Sequence, residues 1–465
     1  MNDSGAVLEY LKSNFQNYLN ELIEFASIPS VSTDPAFKAE MVRASSWVAA
    51  RLERAGVPVV EILETAGHPV VYAEWLSAPD APTILIYGHY DVQPSDPLEK
   101  WHSAPFEPEV RLVNHEQRLY ARGVSDDKGP MLIPILVAEA FAKTAGKPPI
   151  NLKFLLEGEE EVGSQHLEAV VREHAARLGA DFVLSADGAM WRAGASSVNI
   201  SSRGLLSLEF RLIGAGKDLH SGRHGGGIHN PLSALAKLVS SLHDTEGRVA
   251  VAGFYDRVTE LSDAEQSAIA AIPFNDAAYL ESIGAASTFG EPGYGTLERQ
   301  WTRPTLELNG IWGGYTGPGG KTVIPSEASA KISCRLVPDQ QPDEILALVI
   351  KHLETHCPPG VRLEIKSDHH GAFPYAIPSF HPGLELARRV LREVDGVEPL
   401  EARMGGTLPI AESFKRLLKL EMVFFSFSTG DEDFHAPNEF FRLERFKKGL
   451  EAWARYWLIL GGQDA

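Results

Sequence analysis

The sequence predicts an α/β protein: a mixed, mostly parallel sheet flanked by helices, interrupted by an inserted α+β domain of ferredoxin-like order. From the start to about residue 200, apolar strand-like runs alternate with helical runs, as in a parallel sheet covered by helices. Between about 203 and 374 the pattern changes, and after Pro378 the first pattern returns. The expected domains are residues 1–202 with 375–465, and residues 203–374 between them. A chain of 465 residues exceeds the size at which one core keeps growing, which agrees with two domains.

Near the start, Val7, Leu8, Leu11, Phe15, Leu19, Leu22 and Phe25 recur at helical spacing and predict an amphipathic helix. Thr83–Tyr87 is a short buried strand, and Pro130–Lys143 is a helix with Asp126 and Asp127 as acidic caps. Asn151–Leu156 is a second strand, Leu167–Leu178 a helix and Asp181–Ser185 a third strand. In the insertion, strand Leu205–Ile213 and helix Pro231–Leu242 precede a long stretch interrupted by Gly and Pro, to which no element is assigned. Strand Ala328–Val337, helix Pro342–His356 and strand Val361–Lys366 complete the ferredoxin-like order. Helix Leu384–Val394, strand Met422–Phe427 and a terminal helix close the chain.

Lys and Arg total 43 against 62 Asp and Glu, a formal charge of -19. That excess repels phosphate backbones and anionic lipid, so nucleic acid and membrane surfaces are excluded as partners. No stretch is long and apolar enough to span a bilayer, and the N-terminus lacks the basic start and apolar core of a signal peptide. Cys334 and Cys357 are too few for a disulfide scaffold. The cytoplasm is the expected compartment.

The chemistry sits where strands end. His89 and Asp91, in Gly88-His89-Tyr90-Asp91, follow the strand at 83–87, and Glu157-Gly158-Glu159-Glu160-Glu161 follows the one at 151–156. Asp187 closes the strand at 181–185, His435 lies beyond the one at 422–427, and Asp126-Asp127 stands at a helix start. Alone, each has an ordinary reading: a solvated acidic turn, a helix cap, a loop histidine. Together, five or more carboxylates at one sheet edge would repel strongly. Divalent cations resolve that repulsion, and mixed imidazole–carboxylate ligation suits zinc, manganese or cobalt. Spacing leaves the division of roles among Glu159, Glu160 and Glu161 open.

At these residues the chain resembles the di-zinc metallopeptidase superfamily of carnosinases, aminoacylases, succinyl-diaminopimelate desuccinylases and glutamate carboxypeptidases. The motifs are GHYDVQP (88–94), RGVSDDKGP (122–130), EGEEEVGS (157–164), HSG (220–222), GKTVIP (320–325), RLVPDQ (335–340) and HAPNE (435–439). GHYDVQP with GKTVIP is most similar to the cytosolic non-specific dipeptidase, or carnosinase-like, branch. The resemblance implies a dipeptidase with two divalent ions per subunit, Zn2+ first and Mn2+ or Co2+ as options. It implies Asp126 as the bridging ligand, His89 and Asp187 on one ion, and Glu161 and His435 on the other. Asp91 would orient the His89 imidazole, and Glu160 would be the general base. The inserted domain would be a lid and the contact of a homodimer, with His220 stabilising the oxyanion in the partner's site. Thr322, Arg335 and Thr407 would contact substrate, Arg335 pairing with a terminal carboxylate. Thr407 stands where close dipeptidase relatives carry serine.

Several rivals fall away. Gly317–Thr322 looks like a phosphate loop, but Tyr315 occupies the place of the first glycine. There is no G-x-S-x-G elbow and no H-E-x-x-H pair. A silent relative serving as a scaffold would have lost the base or a ligand, and here all are present. The alternative enzyme is an N-acyl-amino-acid amidohydrolase or carboxypeptidase with the same centre. His224, His229 and the pair His369-His370 are read as loop residues.

Overall fold

The computed structural model describes residues 3–366 and 371–463, so His369 and His370 lie outside the described residues. The chain divides into two compact units. One comprises Met1–Ile200, Ile377–Ala402 and Ile410–Ala465, the other Ser201–Ala376 and Arg403–Pro409.

The first unit is built on a nine-stranded sheet whose path begins Val59–Leu63, Val70–Trp75, Asn151–Glu157, Thr83–His89, Phe182–Ser185, Met422–Phe424, Ser197–Ser202. Its four central strands, Asn151–Glu157 to Met422–Phe424, run parallel, while Val70–Trp75 and Ser197–Ser202 flank them antiparallel. Asn151–Glu157 and Thr83–His89 are buried at every position after the first, as strands covered on both faces must be. Helix Gly129–Thr144, buried all round from Gly129 to Ala138, packs against Leu443–Leu460 and Asp3–Ser13, where Phe141 stacks on Trp457. The mixed, mostly parallel α/β architecture is therefore present.

Local details differ from the sequence reading. The N-terminal helix is two helices, Asp3–Ser13 and Phe15–Ala26, because Asn14 leaves helical geometry and donates its amide to the Tyr10 carbonyl. Leu167–Leu178 likewise breaks at His174. Strands Val59–Leu63, Val70–Trp75 and Ser197–Ser202 were not anticipated, nor was the hairpin Glu109–Val113/Glu116–Tyr120 that pairs with Phe440–Arg442.

In the second unit, four antiparallel strands stand in the order Thr305–Gly313, Glu327–Leu336, Gly204–Ile213, Arg362–Lys366. Numbered along the chain this is 2-3-1-4, the ferredoxin-like order. Leu206, Leu208, Phe210 and Leu212 alternate onto one face, with Ala330, Ile332 and Cys334 beside them. Helices Pro231–Ser240 and Pro342–His356 pack against these strands. The unassigned stretch holds helices Asp263–Ala270, Asp276–Ile283 and Thr296–Trp301, the first started by a Ser262–Glu265 capping box, and then the strand Thr305–Gly313.

Candidate metal centre and active site

Each of the four parallel strands delivers one or two polar side chains at its carboxyl end, inside the first unit. His89 is the last residue of its strand. Glu160 and Glu161 begin a single helical turn three residues past Glu157, and Asp187 lies two past Ser185. Open α/β sheets form their sites at this edge, because only there do successive loops converge on one crevice. Asp126 arrives from the turn Val124–Lys128, directly before helix Gly129–Thr144; its peptide bond to Asp127 is cis.

The turn does not cap the helix as expected. No side-chain cap bond forms at its start. Asp126 points to the histidines instead, and Asp127 accepts the backbone N–H of His89 at 3.2 Å. Gly88 permits that approach: a Cβ there would lie 2.8 Å from Asp127 Oδ2 and from Met131 Cγ.

Asp126 is the hub. His89 Nε2 lies 3.1 Å from its Oδ1, and His435 Nε2 lies 2.9 Å from its Oδ2. His435 Nε2 is also 3.2 Å from Glu161 Oε2. Two clusters of potential ligand atoms result, His89–Asp126–Asp187 and Asp126–Glu161–His435, each with all its atoms within 4.8 Å of one another. Asp126 belongs to both, one oxygen toward each histidine.

The three glutamates separate by their partners. Glu159 turns away, bonding His166 Nδ1 at 2.9 Å and the His68 amide at 3.3 Å. Glu161 faces His435 and accepts from Gln93 Nε2 at 2.8 Å. The Glu160 carboxylate makes no hydrogen bond among the described residues. Asp91 does more than expected. Its carboxylate approaches His89 Nδ1 at 3.4 Å, its carbonyl lies 3.1 Å from the same nitrogen, and its two oxygens accept the Glu160 and Glu161 amides at 3.2 and 3.1 Å. One fully buried acid thus sets both the imidazole and the glutamate turn.

The electrostatics match a cation site. Burial, joined by the neighbouring Asp126, lifts Glu161 to about 7, and burial lifts Asp187 to about 6. Burial also drives Glu160 well above the usual carboxylate range, with Asp187 and Glu161 adding to it. Asp126 alone stays low, because the hydrogen bonds from His435 and His89 outweigh its burial. Hydrogen bonds to Asp126 and Glu161 raise His435 to about 10. Acids crowded until they resist ionisation, together with two imidazoles, form a donor set that fits divalent cations.

Residues 85–458 match the family described as Peptidase family M20/M25/M40. The chain belongs to that family. This M20-family peptidase is 29% identical over 96% of its length to the Cys-Gly metallodipeptidase dug1 of Schizosaccharomyces pombe, covering 96% of that protein. It is 30% identical to the Beta-Ala-His dipeptidase of Homo sapiens, over 97% of this chain and 92% of the relative. Among solved structures it is similar to the M20 family metallo-carboxypeptidase Sso-CP2 of Sulfolobus solfataricus. That likeness has a TM-score of 0.83 and 32% identity, covering 96% of this chain and 99% of the other. Enzymatic peptide-bond hydrolysis with divalent metal follows from membership and from the donor set.

The remaining expected residues of the M20-family peptidase lie in its second unit, in two pairs. His220 stands in a short pairing opposite Val323, next to Thr322, whose carbonyl accepts the Ser221 amide at 3.0 Å. Arg335 Nη1 donates to Thr407 Oγ1 at 3.0 Å. Sequence reasoning missed Glu439. Fully buried, it accepts the amides of Gly123, Ser125 and Asp126 and the Arg122 guanidinium, and so holds the Asp126 turn. Its only signal was the last letter of HAPNE. Glu432 adds a second tie, to Ser125 Oγ.

Proposed function

We propose that this chain hydrolyses dipeptides, with two divalent ions held by His89, Asp126 and Asp187 and by Asp126, Glu161 and His435. The shared Asp126, with one oxygen toward each histidine, carries the reading. Bound there, divalent cations lower the pKa of water and polarise a carbonyl. Glu160 supplies the proton transfer. Its carboxylate has no competing hydrogen bond among the described residues and sits where burial raises its proton affinity, so it takes a proton from the attacking water and passes it to the leaving nitrogen. Asp91 holds His89 and the Glu160 backbone in register. Zinc is the proposed metal, with manganese or cobalt as substitutes.

His220 suits the stabilisation of a developing oxyanion. Its Nδ1 accepts the Gly222 amide at 3.0 Å, which leaves the proton on Nε2, an outward donor. We propose that it serves the site of a second copy. The edge strand Thr305–Gly313 supports such a dimer, since Leu308, Ile311 and Trp312 are each more than 40% exposed on it. Thr322, Arg335 and Thr407 are proposed to contact substrate, Arg335 at the terminal carboxylate. Both cysteines are free thiols, which suits the proposed cytoplasmic location.

The relatives named as dipeptidases favour this reading over an N-acyl amidohydrolase or carboxypeptidase. Metal analysis with a panel of free dipeptides against their N-acetylated forms tests it. Turnover of the free dipeptides with two ions per chain is expected. Turnover of the acetylated forms alone would overturn it in favour of the alternative.

A further inference from the structure

Asp91 secures the glutamate turn from one side, and Glu159 secures it from the other. The Glu159 carboxylate is buried and accepts the backbone amides of His68 and His166, each at 3.3 Å. The His166 ring stands against it, with Nδ1 at 3.0 and 2.9 Å from the two oxygens. The Glu159 carbonyl accepts the amides of Val162 and Ser164 at 3.2 and 2.7 Å. The chain thus reverses at Gly163 and Ser164, both at positive φ, and closes back on its own first residue.

The anchor points are themselves fixed. His68 lies between strands Val59–Leu63 and Val70–Trp75, with its Nε2 at 3.1 Å from the Ser32 carbonyl and its own carbonyl accepting Thr65 Oγ1 at 2.7 Å. His166 directly precedes helix Leu167–Glu173. Gly67 makes the room, since a Cβ there would fall 1.8 Å from Glu159 Oε1. Glu160 has no such tether. Its amide reaches Asp91 at 3.2 Å, but its carboxylate makes no hydrogen bond among the described residues, so the backbone alone aims it.

We infer that Glu159 is a positioning residue for the base: its carboxylate, clamped between the His68 amide and His166, fixes the backbone from which Glu160 projects. The inference rests on the reading of Glu160 as the base. Glu161 is held separately, by Gln93 and His435, so a loosened turn misaims Glu160 without releasing Glu161.

The test measures kcat, KM and metal content with one dipeptide. In Glu159→Met, kcat is expected to fall roughly 10–100-fold, as for a reacting group displaced by about 1 Å, with KM and metal content within about twofold. Glu159→Gln keeps one acceptor oxygen and should recover part of the loss. His166→Ala, a milder change at a partly exposed ring, should lower kcat at least about threefold and decides the matter if Glu159→Met does not fold. An unchanged kcat, or a loss carried by KM or by metal content, overturns the inference. In a Glu160→Gln background, Glu159→Met should cost less than about threefold more, because the group it aims is gone, and a further loss as large as in the wild type overturns it. Hydrogen exchange of the metal-loaded protein reads the turn without turnover: the peptide carrying the Val162, Gly163 and Ser164 amides should exchange faster in Glu159→Met, and unchanged exchange overturns the inference. If Glu160→Gln turns over normally, the base assignment fails, while the exchange measurement still decides whether Glu159 holds the turn.

Discussion

Replacing Glu439 with glutamine asks whether the acid behind the Asp126 turn holds the centre together. Glu439 Oε1 accepts the Ser125 and Asp126 amides at 3.0 and 3.2 Å, and Oε2 accepts the Gly123 amide and Arg122 Nη1, each at 2.8 Å. A glutamine presents an NH2 in place of one oxygen. Whichever way it flips, two donors then face a donor, and the buried Arg122 loses its counter-charge. An unsatisfied buried donor costs about 1–3 kcal/mol and a broken buried pair about 3–5 kcal/mol; Arg122 belongs to the same network as the amides, so these costs overlap rather than add, and the expected loss is about 3–5 kcal/mol. At roughly 2 °C per kcal/mol for a unit of this size, the chelator-treated protein should melt about 6–10 °C lower. Because the Asp126 amide is among the lost contacts, divalent-metal affinity by calorimetry should fall roughly 10–100-fold. A melting shift below about 2 °C with unchanged metal affinity would refute the reasoning.

Glu160→Gln should keep its metal and lose roughly two to four orders of magnitude in turnover; near-normal turnover would end its assignment as base. His220→Ala should cripple turnover at unchanged metal content. Mixed dimers with a metal-site variant should recover activity if the residue acts across subunits, and no recovery counts against that arrangement. Trp312→Glu on the edge strand should yield monomers in sedimentation velocity, and a variant that stays dimeric removes that strand from the interface. A pH experiment concerns His352, whose ring stacks 4.0 Å from His356 and whose Nε2 meets Ser241 Oγ at 3.0 Å. Burial and then His356 hold its pKa below the usual range. The unfolded chain therefore takes up the proton more readily below about pH 6.5. The contribution is full above that value and is lost as the pH falls through it, so wild-type stability should drop more steeply than that of His352→Gln between about pH 7 and 5. Parallel slopes would exclude the effect.

Several elements escaped the sequence for definable reasons. The strand Thr305–Gly313 is exposed along most of its length, so Leu308, Ile311 and Trp312 do not alternate as a half-buried strand does. The hairpin strands Glu109–Val113 and Glu116–Tyr120 carry charged residues that satisfy one another locally, Glu109 with Arg111 and Glu116 with Arg118, which hides a strand signal. Asp126 and Asp127 look like caps by position, because a cap and a ligand turn place the same residue type before the same helix.

The sequence by itself determined that strand ends carry the reactive side chains, since parallel strands buried on both faces must be apolar throughout and turn polar only where they leave the sheet. It also singled out His89, Asp126, Asp187 and His435 as candidate ligands by their places at strand ends and a helix start, and left the choice among three consecutive glutamates to the family resemblance. Only the tertiary structure decided which glutamate faces where. Glu159, Glu160 and Glu161 are consecutive, and what separates them is a bond to His166, no hydrogen bond from the carboxylate among the described residues, and a contact with His435, from segments up to 274 positions apart. It alone showed Glu439 beneath the Asp126 turn, more than 300 residues away in sequence. Such partnerships depend on distance in space, which strand pairing and loop closure set and no local spacing encodes.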